Sequence, residues 1–173
     1  MKTNLVLIGM MGCGKTSIGE QLSRQLELPF RDVDLFIEQT TQQSIPELFE
    51  VSEAHFRAIE TTTCKMLAEK ETHTIISCGG GVVLNPENIK ILSQTGWIVF
   101  IDRPIERIIE DVEVEHRPLL KNGRKDLYQL YEERIELYRS AADFRVENHS
   151  TMDEVLNEIK ERLPKTITYK RSR

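Results

Sequence analysis

The stretch "NLVLIGMMGCGKTSIGEQL" (residues 4–22) decides the fold. It opens with an apolar run (4–8), the pattern of a strand buried on both faces of a parallel sheet. The run breaks into glycines, after which Ile18, Leu22 and Leu26 recur at helical spacing. Between strand and helix, Gly9, Gly12, Gly14, Lys15 and Thr16 satisfy G-x-x-x-x-G-K-[ST]. Glycines at these places let backbone N–H groups turn inward as an anion nest, and the helix N-terminus adds partial positive charge. Lys15 is then placed to reach β/γ-phosphates and the Thr16 hydroxyl to ligate Mg²⁺, so Gly12, Cys13, Gly14, Lys15, Thr16 and Ser17 form a nucleotide-phosphate site. Cys13 reads as a small filler there. Chance alone would produce the pattern in a chain this long on the order of one time in a hundred.

The same alternation continues outward from this segment. "PFRDVD" (29–34) reads as a second strand, followed by a helix at 35–42. Ser44, Pro46 and Glu47 form a capping box that starts a short helix. A longer helix at about 53–70 carries Phe56, Ile59, Thr63 and Leu67 on one stripe. "TIISCGGG" (74–81) is strand then glycine turn. "WIVFID" (97–102) is a buried strand with Pro104 and a helix behind it, and "FRVEN" (144–148) is a last strand before a helix at 152–163. Strands alternating with helices imply right-handed crossovers and a three-layer α/β/α domain spanning 1–173. Residues 112–126, "VEVEHRPLLKNGRKD", break the alternation and read as a long surface loop.

Composition narrows the function classes. The chain has 173 residues, 39% hydrophobic and 29% charged, with no apolar run long enough to span a membrane. A net charge of −5 disfavours nucleic acid as a partner. Cys13, Cys64 and Cys78 show neither metal nor disulfide spacing, as expected of a cytoplasmic protein. The tail 165–173, with Lys165, Lys170, Arg171 and Arg173, reads as a frayed basic terminus, and no exposed apolar stripe asks for a second subunit, so a monomer is expected.

Several groups downstream have the chemistry of a phosphoryl acceptor site. Asp32 and Asp34, at i and i+2 on the second strand, project to one face, so one could hold Mg²⁺ through water while the other accepts a hydroxyl proton. A solvated strand end or a helix cap explains them equally well. Gly79, Gly80 and Gly81 allow backbone to approach a small ligand, or simply form a flexible turn. Ser77 stands where many phosphate-loop proteins end a strand with a Mg-binding Asp. Arg134 shares a helical stripe with Leu127, Leu130 and Tyr138 and needs an anion, whether an internal carboxylate or a ligand. Arg57 is explained by an exposed pair with Glu60 one turn on. Arg117, beside Pro118 in the long loop, is either solvated or a mobile cation for the moving phosphate. His55, His73, His116 and His149 have no ligand spacing, and Tyr128, Tyr131 and Tyr138 read as core packing.

Taken in order, Gly9–Thr16, "DVD", "FRAIE", "CGGGV", "HRPLL" and Arg134 in "ERIELYR" resemble shikimate kinase over nearly the whole chain to about residue 163. The resemblance implies a five-stranded parallel sheet of the nucleoside-monophosphate-kinase type, a P-loop NTPase fold with a substrate-binding region at about 33–61 and a lid at about 112–124. It implies ATP-dependent phosphorylation of the 3-hydroxyl of shikimate, a step toward chorismate. Asp34 would hold ring hydroxyls and act as base, while Arg57 and Arg134 clamp the carboxylate and Glu60 orients Arg57. Gly79–Gly81 would pass the substrate by backbone, Arg117 would reach the phosphates, and Asp32 would hold Mg²⁺ through water.

The chain departs from the family at Ser52, where Gly is usual, and at Glu136, where the family has Pro in Pro-Leu-Tyr. Glu110 and Asp111 occupy a region where some members carry an adenine-stacking Arg, and the lid holds Asp111, Glu113 and Glu115. Two other readings remain at this stage: a P-loop kinase of another small polyol acid such as gluconate, or a nucleotide-binding homologue without kinase activity.

Overall fold

The apolar runs become strands of one parallel sheet. The computed structural model describes residues 1–111 and 123–168. Its strands are β1 (Asn4–Ile8), β2 (Phe30–Asp32), β3 (Ile75–Ser77), β4 (Gly96–Asp102) and β5 (Phe144–Glu147), ordered β2-β3-β1-β4-β5. Every pairing is parallel, with Val6 of the central strand opposite Ile76 and Ile98. β1 is buried along its whole length, as its continuous apolar run requires. Its polar member, Asn4, is satisfied by Glu71 O (2.8 Å) and the Thr74 N–H (3.0 Å).

The connections put helices on both faces. From β1, α1 (Lys15–Leu26) crosses β3 to reach β2; from β3, α5 (Pro86–Thr95) crosses β1 in the opposite direction to reach β4. Right-handed crossovers travelling in opposite directions place their helices on opposite faces. α1 packs with α8 (Met152–Arg162), and α5 with α4 (Glu53–Lys70), completing three layers. β1 and β4 lie side by side while their connections leave in opposite directions, which opens a crevice at their carboxyl ends where ligands gather in such sheets. No helix among the described residues is long and apolar enough to cross a membrane.

Local signals set most boundaries. Ser44 and Glu47 form the expected capping box on α3 (Ile45–Val51), Thr151 and Glu154 form another on α8, and Ser52 caps α4 through the His55 N–H. The second strand, expected to reach residue 34, stops at Asp32. There the Asp32 carboxylate accepts the Leu35 N–H at 3.0 Å and starts α2 (Val33–Thr41) without an intervening loop. Asp34 is therefore in the first turn of a helix, so the argument from strand alternation does not hold for it. α5 was not read from the sequence; Asn85 caps it and Pro86 begins it. α6 spans Ile105–Asp111 and α7 spans Arg124–Ala141, so Arg124, Lys125 and Asp126 are helical and not part of the long loop.

The side-chain stripes also shift. On α4 the buried face is Phe56, Glu60, Thr63, Cys64, Leu67 and Ala68, with Ile59 only half-buried. Of the tyrosines on α7 only Tyr138 is core, stacked on Phe100 at 5.2 Å, whereas Tyr128 is exposed. The tail begins as a further helical turn, α9 (Lys165–Thr168), anchored by the fully buried Ile167, so its first residues are not frayed. Arg117, His116 and most of the expected lid, with residues 169–173 of the tail, lie outside the described residues.

Candidate active site

The phosphate loop is wound so that the carbonyls of Gly9, Met10, Gly12 and Cys13 each accept a hydrogen bond. Gly9, Gly12 and Gly14 adopt φ of 150°, 76° and 99°, and Gly14 is the left-handed N-cap of α1. A Cβ on Gly9 would lie 2.5 Å from Ile101 O, so β4 leaves room for nothing larger. Lys15, 8% exposed, folds back and donates to Gly9 O (2.7 Å) and Met10 O (2.9 Å). Cys13 is fully buried and its Sγ fills the space beside Lys15 Nζ, as a filler should. Two further donors were not read from the sequence: Arg103 Nη1 donates to Gly12 O (2.9 Å) and Asn148 Nδ2 to Cys13 O (2.8 Å).

A cavity of about 370 Å³ opens at the carboxyl ends of the central strands. The phosphate loop, Thr16, Ser17, Asp32, Asp34, Ser77, Gly79, Gly80 and Arg103 wall it. Thr16 Oγ1 donates to Asp32 Oδ2 at 3.2 Å, which brings the hydroxyl and the capping carboxylate together. Asp34 projects from the first turn of α2 with Oδ1 buried and unpartnered. Burial, then repulsion from Asp32, pushes its carboxyl from 3.8 up to about 6, against the pull of Lys15 and Arg57.

The glycine turn brings the remaining groups together. A Cβ on Gly79 would stand 2.9 Å from Asp34 Oδ1 and 3.4 Å from Glu60 Oε2; one on Gly80, 3.2 Å from Met11 N and 3.5 Å from Arg134 Nη1; one on Gly81, 2.3 Å from Arg57 Nη1. The three glycines thus touch the phosphate loop, both acids and both arginines at once. Tyr138 donates to Gly80 O and fixes the turn from below. Arg57 and Arg134 are not walls of the cavity itself; they border it across Gly80 and Gly81.

The two arginines are held differently. Arg57 pairs with Glu60 at 3.0 Å and Glu53 at 3.3 Å, and its guanidinium carbon lies 5.1 Å from the centre of the Phe56 ring. Glu60 is 1% exposed, so this is no solvated surface pair; burial raises its carboxyl while Arg57 opposes the rise. Arg134 is 2% exposed and makes no ion pair with any described carboxylate, and its Nε has no partner. The internal-ion-pair explanation of Arg134 is therefore excluded among the described residues. Cys64 and Cys78 nearby are inert: burial pushes the Cys64 thiol up to about 12 and the Cys78 thiol well above its ordinary value.

No group of three or more His, Cys, Asp or Glu among the described residues could hold a metal ion. A hydroxyl and a carboxylate beside a phosphate nest nevertheless fit Mg²⁺, which binds through few protein oxygens and keeps its waters and phosphate ligands.

A parallel sheet ordered β2-β3-β1-β4-β5, with a glycine-lysine-threonine loop at the central strand, defines a P-loop NTPase-type α/β protein. Comparison with known proteins refines this. A family model described as shikimate kinase matches residues 11–164. A shikimate kinase of Clostridium beijerinckii is 50% identical over 161 residues, covering 93% of this chain and 95% of its own. Another, from Aquifex aeolicus, is 41% identical over 90% of this chain and 92% of its own. The structure of Acinetobacter baumannii shikimate kinase in complex with shikimate superposes with a TM-score of 0.87 at 31% identity, covering 93% of this chain and 92% of that one. A Janibacter sugar kinase at 14% identity, with a TM-score of 0.61, shares the fold alone. The chain belongs to the shikimate kinase family, a family of phosphotransferases.

Proposed function

We propose that this protein transfers the γ-phosphoryl group of ATP to the 3-hydroxyl of shikimate, working as a single 1–173 domain, monomeric and cytoplasmic, with Mg²⁺. The observation that carries the reading is Arg134, a buried guanidinium that makes no ion pair with a described carboxylate and leaves its Nε unpartnered, at the same glycine turn as Asp34. An uncompensated buried cation is strongly unfavourable unless an anion arrives. A small cyclic acid with neighbouring hydroxyls supplies one at the right size, its carboxylate on Arg134 and Arg57 and its hydroxyls toward Asp34.

The loop N–H groups and Lys15 bind the β- and γ-phosphates, Lys15 giving up its bonds to Gly9 O and Met10 O to do so. Thr16, and Asp32 through water, would hold Mg²⁺, which would supply positive charge to neutralise the phosphates. Asp34 takes the proton of the acceptor hydroxyl as its oxygen bonds to the γ-phosphorus and the bond to the β-phosphate oxygen breaks, releasing ADP. A carboxyl at about 6 is ionised at neutral pH yet basic enough to accept that proton. Glu60 orients Arg57, and Gly79, Gly80 and Gly81 let the acceptor lie against backbone. Arg117, outside the described residues, keeps the phosphate-contacting role in a 112–124 lid that the family resemblance implies, as do residues 33–61 their substrate-binding role.

An ADP-release assay with shikimate, gluconate and a nucleoside monophosphate as competing acceptors tests this reading. Turnover with shikimate alone is expected. Faster turnover with either other acceptor would assign the chain to a different acceptor, and none with any of them would leave a nucleotide-binding protein.

A further inference from the structure

Arg103 and Asn148 are absorbed by neither the P-loop motif nor the acceptor site, yet both hold the loop. Arg103 follows the carboxyl end of β4 and Asn148 that of β5, so they approach from the side of the β1/β4 crevice opposite the acceptor groups. Arg103 is anchored at two points: Nη1 on Gly12 O at 2.9 Å and Nη2 on Asp111. Its side chain is 22% exposed, so it is no solvated surface arginine. Asn148 donates to Cys13 O at 2.8 Å, and a Cβ on Gly14 would fall 2.8 Å from the same nitrogen, so the amide fills that space completely.

The geometry of a trans peptide gives these bonds a consequence. A carbonyl and the N–H of the following residue point in opposite directions. With Cys13 O drawn toward Asn148, the Gly14 N–H is turned away from it. With Gly12 O drawn toward Arg103, the Cys13 N–H is turned to Met10 O, which it meets at 3.1 Å and so closes the turn. The conformation requires positive φ at Gly12 and Gly14, which a free glycine-rich segment would populate only part of the time. A nest already ordered before binding spares the ligand that entropy.

We propose that Arg103 and Asn148 are positioning residues for the nucleotide: they keep two consecutive loop carbonyls turned out, which closes the turn through the Cys13 N–H and leaves the Gly14 N–H aimed at a polyphosphate. The inference rests on the proposed binding of ATP phosphates in this loop. Asp111 takes part by fixing the Arg103 guanidinium.

Calorimetric titration of the full chain with ADP and Mg²⁺, beside titration with shikimate and steady-state kinetics, tests it. Loss of one net hydrogen bond predicts about tenfold weaker ADP binding in Asn148→Ala and in Arg103→Ala. Asn148→Asp keeps the shape but sets a carboxylate against a carbonyl and near phosphate, and about hundredfold weaker binding is expected of it. Arg103→Lys, which can still reach one carbonyl, should recover part of the loss. KM for ATP should rise in step while KM for shikimate stays within about twofold. Equal ADP affinity in wild type and variants overturns the inference. So does a parallel loss of ADP and shikimate binding with a lowered Tm, the mark of a merely structural role. A wild-type chain that binds shikimate but not ADP would instead sink the underlying nucleotide reading, and the inference with it.

Discussion

Replacing Asp34 by Asn should make the protein more stable and nearly inactive, and the size of the stabilisation should depend on pH. The fold favours the protonated form of this carboxyl, lifting it from 3.8 to about 6. Its contribution to stability is therefore fully present below the unfolded value and is lost as pH rises through about 6. At ~1.36 kcal/mol for each tenfold change in the ionisation constant, the ionised group costs up to about 3 kcal/mol at neutral pH. Because the carboxylate faces a cavity, water recovers part of this, and about 1–2 kcal/mol of stabilisation is expected for the variant at about pH 7.5. Between about pH 7.5 and about pH 5 the wild type regains about 1.4 kcal/mol by binding a proton that the variant cannot bind. The advantage of the variant should shrink by that amount. In a chain of this length it corresponds to roughly 3–6 °C in the difference between the two Tm values. Urea unfolding of both proteins at the two pH values measures it directly. A difference that does not change with pH, or a variant less stable at neutral pH, refutes the reasoning about burial. The same variant should bind ADP normally and lose roughly 10²–10⁴-fold in turnover, the usual contribution of a general base. Retained turnover would remove Asp34 from that role.

Three other perturbations separate the parts of the site. Arg134→Ala should raise the shikimate KM by about hundredfold or more while ADP binding is unchanged, since a buried charge partner is worth about 2–5 kcal/mol; an unchanged KM removes it from the carboxylate clamp. Gly81→Ala places a Cβ 2.3 Å from Arg57 Nη1. The guanidinium is the far end of a flexible chain, so the fold should survive and the shikimate KM rise about tenfold, as expected when a bidentate contact is misaligned; equal kinetics in this variant would mean that Arg57 does not set the acceptor's position. Thr151→Ala removes the capping box of α8 without changing a residue that walls the cavity, and should lower stability by about 1 kcal/mol with kcat unaltered.

What the sequence disclosed was what local physics fixes. The strands β1 and β4 announce themselves because a strand covered on both faces must be apolar throughout. The cap at Ser44 sits in a four-residue signature ending at Glu47. The inward direction of Arg134 followed from its apolar neighbours at helical spacing. The failures have equally physical causes. Asp32 ends a strand and caps a helix at once, so the two patterns overlap and Asp34 was assigned to the wrong element. Glu60 looked like a surface partner because an i,i+3 pair is the same in sequence whether or not a glycine turn covers it. Arg103 and Asn148 bond to backbone carbonyls 91 and 135 residues away. A carbonyl has no residue type, so no pattern of letters could have named these partners.

The unpartnered polar atoms give the argument for the acceptor its chemical sense. Among the described residues, six buried side-chain atoms lack a hydrogen-bond partner, and three of them, Asp34 Oδ1, Glu60 Oε2 and Arg134 Nε, belong to side chains that meet at Gly79 and Gly80. Each such group carries a desolvation penalty of about 1–3 kcal/mol, more when charged. A sequence selected for stability alone would not gather three of them around one glycine turn. Their polarity is specific: two acceptors and one cationic donor. A ligand that satisfies them must offer hydroxyl donors on one side and an anionic acceptor on the other. A nucleoside monophosphate offers the anion but presents a flat base to the two acids, and a neutral sugar offers the hydroxyls but leaves Arg134 uncompensated. A polyhydroxylated carboxylic acid answers all three. Arg57, already paired with Glu60 and Glu53, gains less from that anion than Arg134 does, so the binding energy should fall mainly on Arg134, which makes no ion pair with a described carboxylate.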